Sequence, residues 1–203
     1  MSVKQVYESR RSVNFFDPKK EVSREVLKEI IDLAVLAPSA FNLQPWRIIA
    51  VTSPEKKELL KANANNQPKV TDAPVSLILV GDKTAYRAEN PVWDELKSMV
   101  GEEGANGAQG AAAFLYGSTP ERQLKFAESN TGLLAMSIMY AAKSFGVDTH
   151  AMSGIDFDGI KSAFNLEPNE EVVMVITVGH FDEEKELYDR RSRRGFDEIV
   201  SFE

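Results

Sequence analysis

The 203-residue sequence predicts an α+β protein, a sheet flanked by helices. Three observations predict it. Segments with apolar residues at helical spacing outnumber the apolar runs that read as strands. The two kinds do not alternate strictly along the chain. No internal repeat and no linker-like stretch divides the sequence, so residues 1–203 are expected to form one domain with a substantial core.

The elements follow in order. Ser2 is placed to cap a first helix carrying Val3, Val6 and Tyr7. Asp17-Pro18 makes a turn, and Ser23 caps a second helix with Val26, Ile30, Leu33 and Ala37 on one side. Pro38 stops that helix, because it lacks an N–H and restricts Ala37. Trp46 to Thr52 reads as a buried strand, and Ser53-Pro54-Glu55 opens a short helix with Leu59 and Leu60. After the polar loop Asn63 to Lys69, the continuous apolar run Val75 to Val80 reads as a central strand. Asn90-Pro91 starts a helix with Val92, Leu96 and Val100. Gly101, Gly104, Gly107 and Gly110 then predict a mobile loop or lid over residues 101–117.

Thr119-Pro120 starts the longest helix, which Gly146 terminates. Its second half, Leu133 to Ala142, is apolar nearly all round and predicts burial on all sides, in part against another subunit. Met152 to Asp156 forms a turn, Asp156 caps a short helix with Ile160 and Phe164, and Val172 to Val178 is the last clear strand. Ile199 to Phe202 reads as a candidate terminal strand.

Composition narrows the function. A chain that is 43% hydrophobic and 27% charged is typical of soluble globular proteins. There is no Cys, which excludes disulfides, cysteine metal sites and a thiol nucleophile. Met1 to Gln5 lacks the apolar core of a signal peptide, and Leu133 to Ala142 is too short to span a bilayer. A cytoplasmic protein without a membrane partner is expected. The net charge of −7 argues against nucleic acid as a partner.

Against that acidic background, two arginine clusters are conspicuous: Arg10-Arg11-Ser12, and Arg190-Arg191-Ser192-Arg193-Arg194. Guanidinium forks beside a hydroxyl suit a phosphate, gripped by charge-assisted hydrogen bonds. The alternative is a solvated face, with the tail arginines paired to Glu183, Glu184 or Glu186. Between Pro38 and Pro45 lies a stiff loop presenting Ser39, Asn42 and Gln44, uncharged groups that both donate and accept. It suits a neutral polar ring with its own donors and acceptors, or is an ordinary helix-to-strand connection. His150 and His180 sit in or beside apolar runs, without a pattern of Cys or carboxylate partners for a metal. There is no Gly-x-Ser-x-Gly elbow, no phosphate loop ending in Gly-Lys-Ser/Thr and no Gly-x-Gly-x-x-Gly after a strand. An anion grip and amide-rich loops without a nucleophile fit a protein whose cofactor performs the chemistry.

Five segments, in order, resemble the nitroreductase family of flavin enzymes. They are Arg10-Arg11-Ser12-Val13, Ala37 to Trp46, Asn66-Gln67-Pro68-Lys69 with Thr71 to Pro74, Ser153-Gly154-Ile155-Asp156, and Arg191-Ser192-Arg193. The resemblance implies a central, mostly antiparallel sheet flanked by helices, in an intertwined homodimer with FMN at the interface. It implies ping-pong hydride transfer from NAD(P)H to flavin N5 and on to a nitroaromatic, quinone or similar small oxidant. Other chemistry on the same fold (dehalogenation, flavin destruction) and a flavin-binding carrier or sensor are the alternatives.

The resemblance also implies residue roles. Arg10, Arg191 and Arg193 hold the phosphate, with Arg11 and Ser12 adding polar contacts. Lys69 sits near flavin N1/O2, Asn66 and Gln67 read the pyrimidine edge, and Ser153 and Gly154 offer backbone N–H near N5. Pro38, Ser39, Ala40 and Asn42 serve the flavin of the partner subunit. No side chain is a catalytic acid or base. Two positions depart from the family's pattern. Asn14 stands where a cation is common, and Ala40 where a hydroxyl is common. Phe114 and Tyr116 are candidates for a substrate lid, or else plain core anchors.

Overall fold

A computed structural model describes all 203 residues. Short polar residues set the helix starts, because their side chains accept from the otherwise unpaired N–H groups of a first turn. Ser2 and Gln5 form a reciprocal capping box on α1 (Val3–Ser9). Ser23 caps α2 (Arg24–Ala34), and Ser53 with Pro54 opens α3 (Pro54–Ala62). A short α4 (Lys69–Asp72) follows. α5 spans Val92–Gly117, and Thr119 caps α6 (Pro120–Ser144). Asp156 caps α7 (Phe157–Ala163), and α8 (Phe196–Ile199) lies in the tail.

The strands β1 (Trp46–Val51), β2 (Val75–Asp82), β3 (Asp148–Met152) and β4 (Glu170–Gly179) form one sheet in the order β1-β2-β4-β3. Every pairing is antiparallel. β2 and β4 are central, which explains why the continuous apolar run of β2 is buried on both faces. Alternate residues divide between two cores. Leu77, Leu79, Ile176 and Val178 meet Ile30 and Ala34 of α2 and Leu134, Ile138 and Ala142 of α6. Ile78, Val80 and Val175 meet Leu60, Val70 and Ile160 of α3, α4 and α7. The sheet therefore lies between two helical layers. Close approach of α6 requires Gly81, where a Cβ would lie 3.1 Å from the Ala127 side chain and 3.2 Å from its carbonyl.

Three sequence expectations need correction. Residues 101–117 are not a loop but the greater part of α5, kinked at Gly101 with φ +81°. Ala105, Ala108 and Ala111 to Ala113 supply enough helix propensity to carry Gly104, Gly107 and Gly110, each costing about 1 kcal/mol relative to Ala. Helix α2 ends at Ala34, short of Ala37. Ile199 to Phe202 is no strand: α8 ends at Ile199 and the remainder is extended, exposed chain. Leu133 is 49% exposed on the single chain, on the half of α6 for which the sequence reading expected cover in part from another subunit. The sequence reading also missed β3, a short polar edge strand with only Thr149 and Met152 buried.

Candidate functional site

The two arginine clusters come together at the β3 edge. Helix α1 ends at Arg10, and the chain then runs extended along β3, with Ser12 bridging Thr149 and Val13 N–H donating to Thr149 O at 3.1 Å. After β4, Phe181 bridges back to Phe16, and Asp182 N–H donates to Phe15 O at 3.1 Å. That pairing lays the tail beside the N-terminal segment. Arg190 donates to the carbonyls of Glu8 and Arg10 at 2.8 Å, and Arg11 donates to the Tyr188 carbonyl. Arg193 folds back on the carbonyls of Arg191 and Ser192. Arg10 itself donates to Ser12 Oγ at 3.5 Å.

None of these arginines forms an ion pair with a carboxylate; the nearby Glu183 lies against Lys20 instead, at 3.8 Å. Burial, with Arg190, Arg193 and Arg11 adding repulsion and Tyr140 opposing, pulls the Arg10 guanidinium below its usual range. Cations gathered without counter-charge repel one another, and a bound anion would relieve that repulsion. Arg190, rather than Arg191, makes the contacts that tie the tail to α1.

Beside this cluster stands Lys69, the first residue of α4. Its ammonium donates to Asn14 Oδ1 at 2.9 Å and Gln67 Oε1 at 3.2 Å, and lies 3.3 Å from His150 Nε2. His150 shares a sheet face with Met152, which packs toward α3 and α7, and so meets α4. Burial alone pulls Lys69 below the usual lysine range. Burial first, and then the charge of Lys69, bring His150 down to about 4. His150 Nδ1 and Thr149 Oγ1 are buried without partners.

Asn65 and Asn66, both at left-handed φ, turn the chain ahead of α4. Asn65 Nδ2 and Gln67 Nε2 both donate to Gly154 O, at 2.8 and 3.2 Å. This fixes the Ser153-Gly154 turn while its own N–H groups donate to no acceptor in the chain. A Cβ built on Gly154 would meet nothing within 4 Å, so the turn faces open space.

The Pro38 to Asn42 loop lies elsewhere. It leads into β1, the opposite edge of the sheet, three strand spacings or about 14 Å from β3. Phe41, Asn42 and Gln44 all hold left-handed φ of 47° to 56°. Three such non-glycine residues are kept there by specific bonds. Ala40 N–H donates to Oδ1 of the buried Asn130 at 2.9 Å, and Gln44 N–H donates to Ser39 Oγ at 2.9 Å. Phe41 lies 6.2 Å from both Trp93 and Tyr116. Tyr116 in turn stacks on Phe126 at 4.5 Å, whereas Phe114 points outward and is 76% exposed. The two lid candidates therefore have different surroundings.

A cleft of about 1240 Å³ lies at the β1 side between Gln44, Arg47, Asn90 and Glu170. It contains none of Arg10, Ser12 or Lys69. Two of its cations are already neutralised, Arg47 by a bidentate bond to Glu170 and Lys83 by Glu171. The β3 edge is the stronger candidate because its cations are unpaired. His150, Asn65 and Asn130 are the residues that sequence reasoning did not assign to the site; Arg190 was named within the tail cluster, without a role of its own. Asn130 sits in the polar run Glu128 to Thr131, ahead of the apolar half of α6, and no sequence signal singled it out.

The donor set at the β3 edge fits a phosphorylated ring cofactor: unpaired arginines for the phosphate, a lysine held by neutral acceptors, and free backbone N–H groups. Comparison with known proteins agrees. Residues 7–180 match the Nitroreductase family. A Bacillus subtilis (strain 168) protein named as an NAD(P)H nitroreductase, MhqN, is 35% identical over 196 residues, covering 95% of this chain and 92% of that protein. The crystal structure of the Bacillus subtilis nitroreductase ydfN superimposes with a TM-score of 0.91 at 31% identity, over 98% of this chain and 97% of the other. A nitroreductase from Exiguobacterium sibiricum 255-15, crystallised in complex with FMN, gives a TM-score of 0.86 at 25% identity, over 100% and 98% of the two chains. The chain belongs to the nitroreductase family.

Proposed function

We propose that this protein is an FMN-dependent oxidoreductase that takes hydride from NAD(P)H and reduces a nitroaromatic, a quinone or a similar small oxidant. The observation that carries the reading is the arginine cluster at the β3 edge, which no carboxylate neutralises. When bound, FMN supplies the redox chemistry, accepting hydride from NAD(P)H at N5 and passing it to the oxidant in a ping-pong sequence.

The chain's own residues bind and orient. Arg10, Arg11, Arg191 and Arg193 hold the phosphate with Ser12, and Arg190 locks the tail against α1 so that both clusters act together. Lys69 places a cation at the pyrimidine side of the ring, where negative charge grows on reduction; a preorganised cation there favours the reduced form. Asn14 contributes an acceptor that steadies Lys69 rather than a second charge. Asn66 and Gln67 read the pyrimidine edge. The free N–H groups of Ser153 and Gly154 serve the N5 side. Pro38, Ser39, Ala40 and Asn42 are too far across the sheet to complete this site within one chain. They complete the site of a second subunit in a homodimer, with α5 of that subunit bearing Phe114 as the residue that meets the oxidant.

The test is a visible absorption spectrum of the purified protein before and after anaerobic NADPH or NADH. A flavin band bleached by either donor supports the reading. A flavin band that neither bleaches points to a carrier, and a protein that stays colourless after incubation with FMN contradicts the reading.

A further inference from the structure

An ammonium carries three donors, and in Lys69 each has an acceptor: Asn14 Oδ1, Gln67 Oε1 and His150 Nε2. All three acceptors are neutral. Besides Lys69, the charged group that acts on His150 is Arg10, at the end of α1, and the residue paired with His150 on β4 is the uncharged Thr177. A half-buried lysine is thus held by geometry, without a counter-charge to attract it.

The three acceptors differ in how they are held. His150 is fixed inside β3 by pairing with Thr177 of β4. Asn14 follows directly on the segment bridged to Thr149. Gln67 belongs to an irregular turn and shares its amide with Gly154. A further acceptor arriving at Lys69 is accommodated most readily by exchange with Gln67, while Asn14 and His150 continue to hold the ammonium. For His150 to serve, Nε2 must be unprotonated, which places the ring proton on the buried Nδ1, on the side of the Val13 backbone. At neutral pH the ring is uncharged, because burial and the charge of Lys69 hold it down to about 4.

We infer that His150 is a positioning residue that, by accepting from Lys69, aims this cation at the electron-rich pyrimidine edge of the flavin and thereby favours the reduced cofactor. The inference rests on the FMN reading above. His150 touches Lys69 and not the reacting atoms, so its effect passes through the lysine alone.

The experiment compares the flavin-loaded wild type with His150→Leu, His150→Gln and Lys69→Met, reading the affinity for oxidised FMN and the flavin midpoint potential. His150→Leu is expected to weaken reduced FMN about tenfold relative to oxidised FMN, a potential lower by about 30 mV for a two-electron couple. His150→Gln keeps an acceptor near Nε2 and is expected to recover most of the potential. In the Lys69→Met background, His150→Leu is expected to change nothing further. If His150→Leu does not fold, His150→Asn, whose amide stops short of Lys69, replaces it with the same expected fall. An unchanged potential in the removal variant, or an equal fall with and without Lys69, overturns the inference and leaves the FMN reading standing. A wild type that binds no FMN overturns both.

Discussion

The two edges of the sheet are built on opposite principles. At β3, Arg10, Arg11, Arg190 and Lys69 gather positive charge that no carboxylate neutralises, a cost in stability that the proposed FMN site would recover on binding an anion. At β1, the Pro38 to Asn42 loop carries no charge and holds strained backbone in place through Asn130, Ser39 and an aromatic cluster. One edge is prepared for a ligand's charge and the other for its shape. Mutations should separate the two: at β3 they should change binding more than stability, and at β1 both together.

The largest effect is expected at Arg10. Arg10→Ala removes charge-assisted bonds from the phosphate grip and should weaken FMN about 100-fold, read by fluorescence titration. The ligand-free protein should melt no lower than wild type, because a repelling cation has gone. A marked loss of ligand-free stability would break the contrast from this side.

Asn130→Leu tests the other edge. It leaves the Ala40 N–H without its acceptor, at a cost of about 1–3 kcal/mol, or a fall in Tm of about 3–10 °C by calorimetry. FMN affinity should fall with it if the loop completes a second subunit's site.

The lid candidates sharpen the comparison within α5. Tyr116→Ala removes a ring stacked on Phe126 and should cost about 2 kcal/mol in urea unfolding. Phe114→Ala should change stability by less than about 0.5 kcal/mol, since the ring is exposed, yet alter the ranking of oxidants in steady-state assays. A common slowing of every oxidant would argue against Phe114 as the residue that selects them.

An effect smaller than that of Tyr116→Ala is expected in pH dependence. His150 has a folded-state pKa of about 4, below its ordinary 6.5, so between those values the unfolded chain binds more protons. Its contribution to stability is complete above pH 6.5 and is lost as pH falls toward 4. Allowing for partial exposure, this is about 1 kcal/mol between pH 7 and pH 5. It is read as the difference between wild type and His150→Leu in urea midpoints at the two pH values.

Much of this was legible in the residues. Cap signals at Ser2, Ser23, Ser53, Thr119 and Asp156 fixed where five helices begin, because capping is local chemistry. The apolar run of β2 marked a central strand for the same local reason. β3 escaped notice because an edge strand buries only Thr149 and Met152 and leaves no apolar pattern. Gly104, Gly107 and Gly110 misled because single glycines lower helix stability without forbidding it; the actual break is Gly101, with positive φ. At the candidate site, Arg10 was legible as clustered charge in an acidic chain, and Lys69 only through the family resemblance. His150 was not assigned, and Arg190 was legible only as part of its cluster, because their contacts arise from the Ser12–Thr149 and Phe16–Phe181 bridges, which join segments far apart in sequence.

The most direct test of the account is the affinity for FMN against riboflavin, the same ring without phosphate, in wild type and Arg10→Ala. The account predicts FMN bound at least about 100-fold more tightly by the wild type, with most of that preference lost in Arg10→Ala and weakened by salt. Equal affinity for FMN and riboflavin in the wild type would contradict it, and the arginines at the β3 edge would be no phosphate grip.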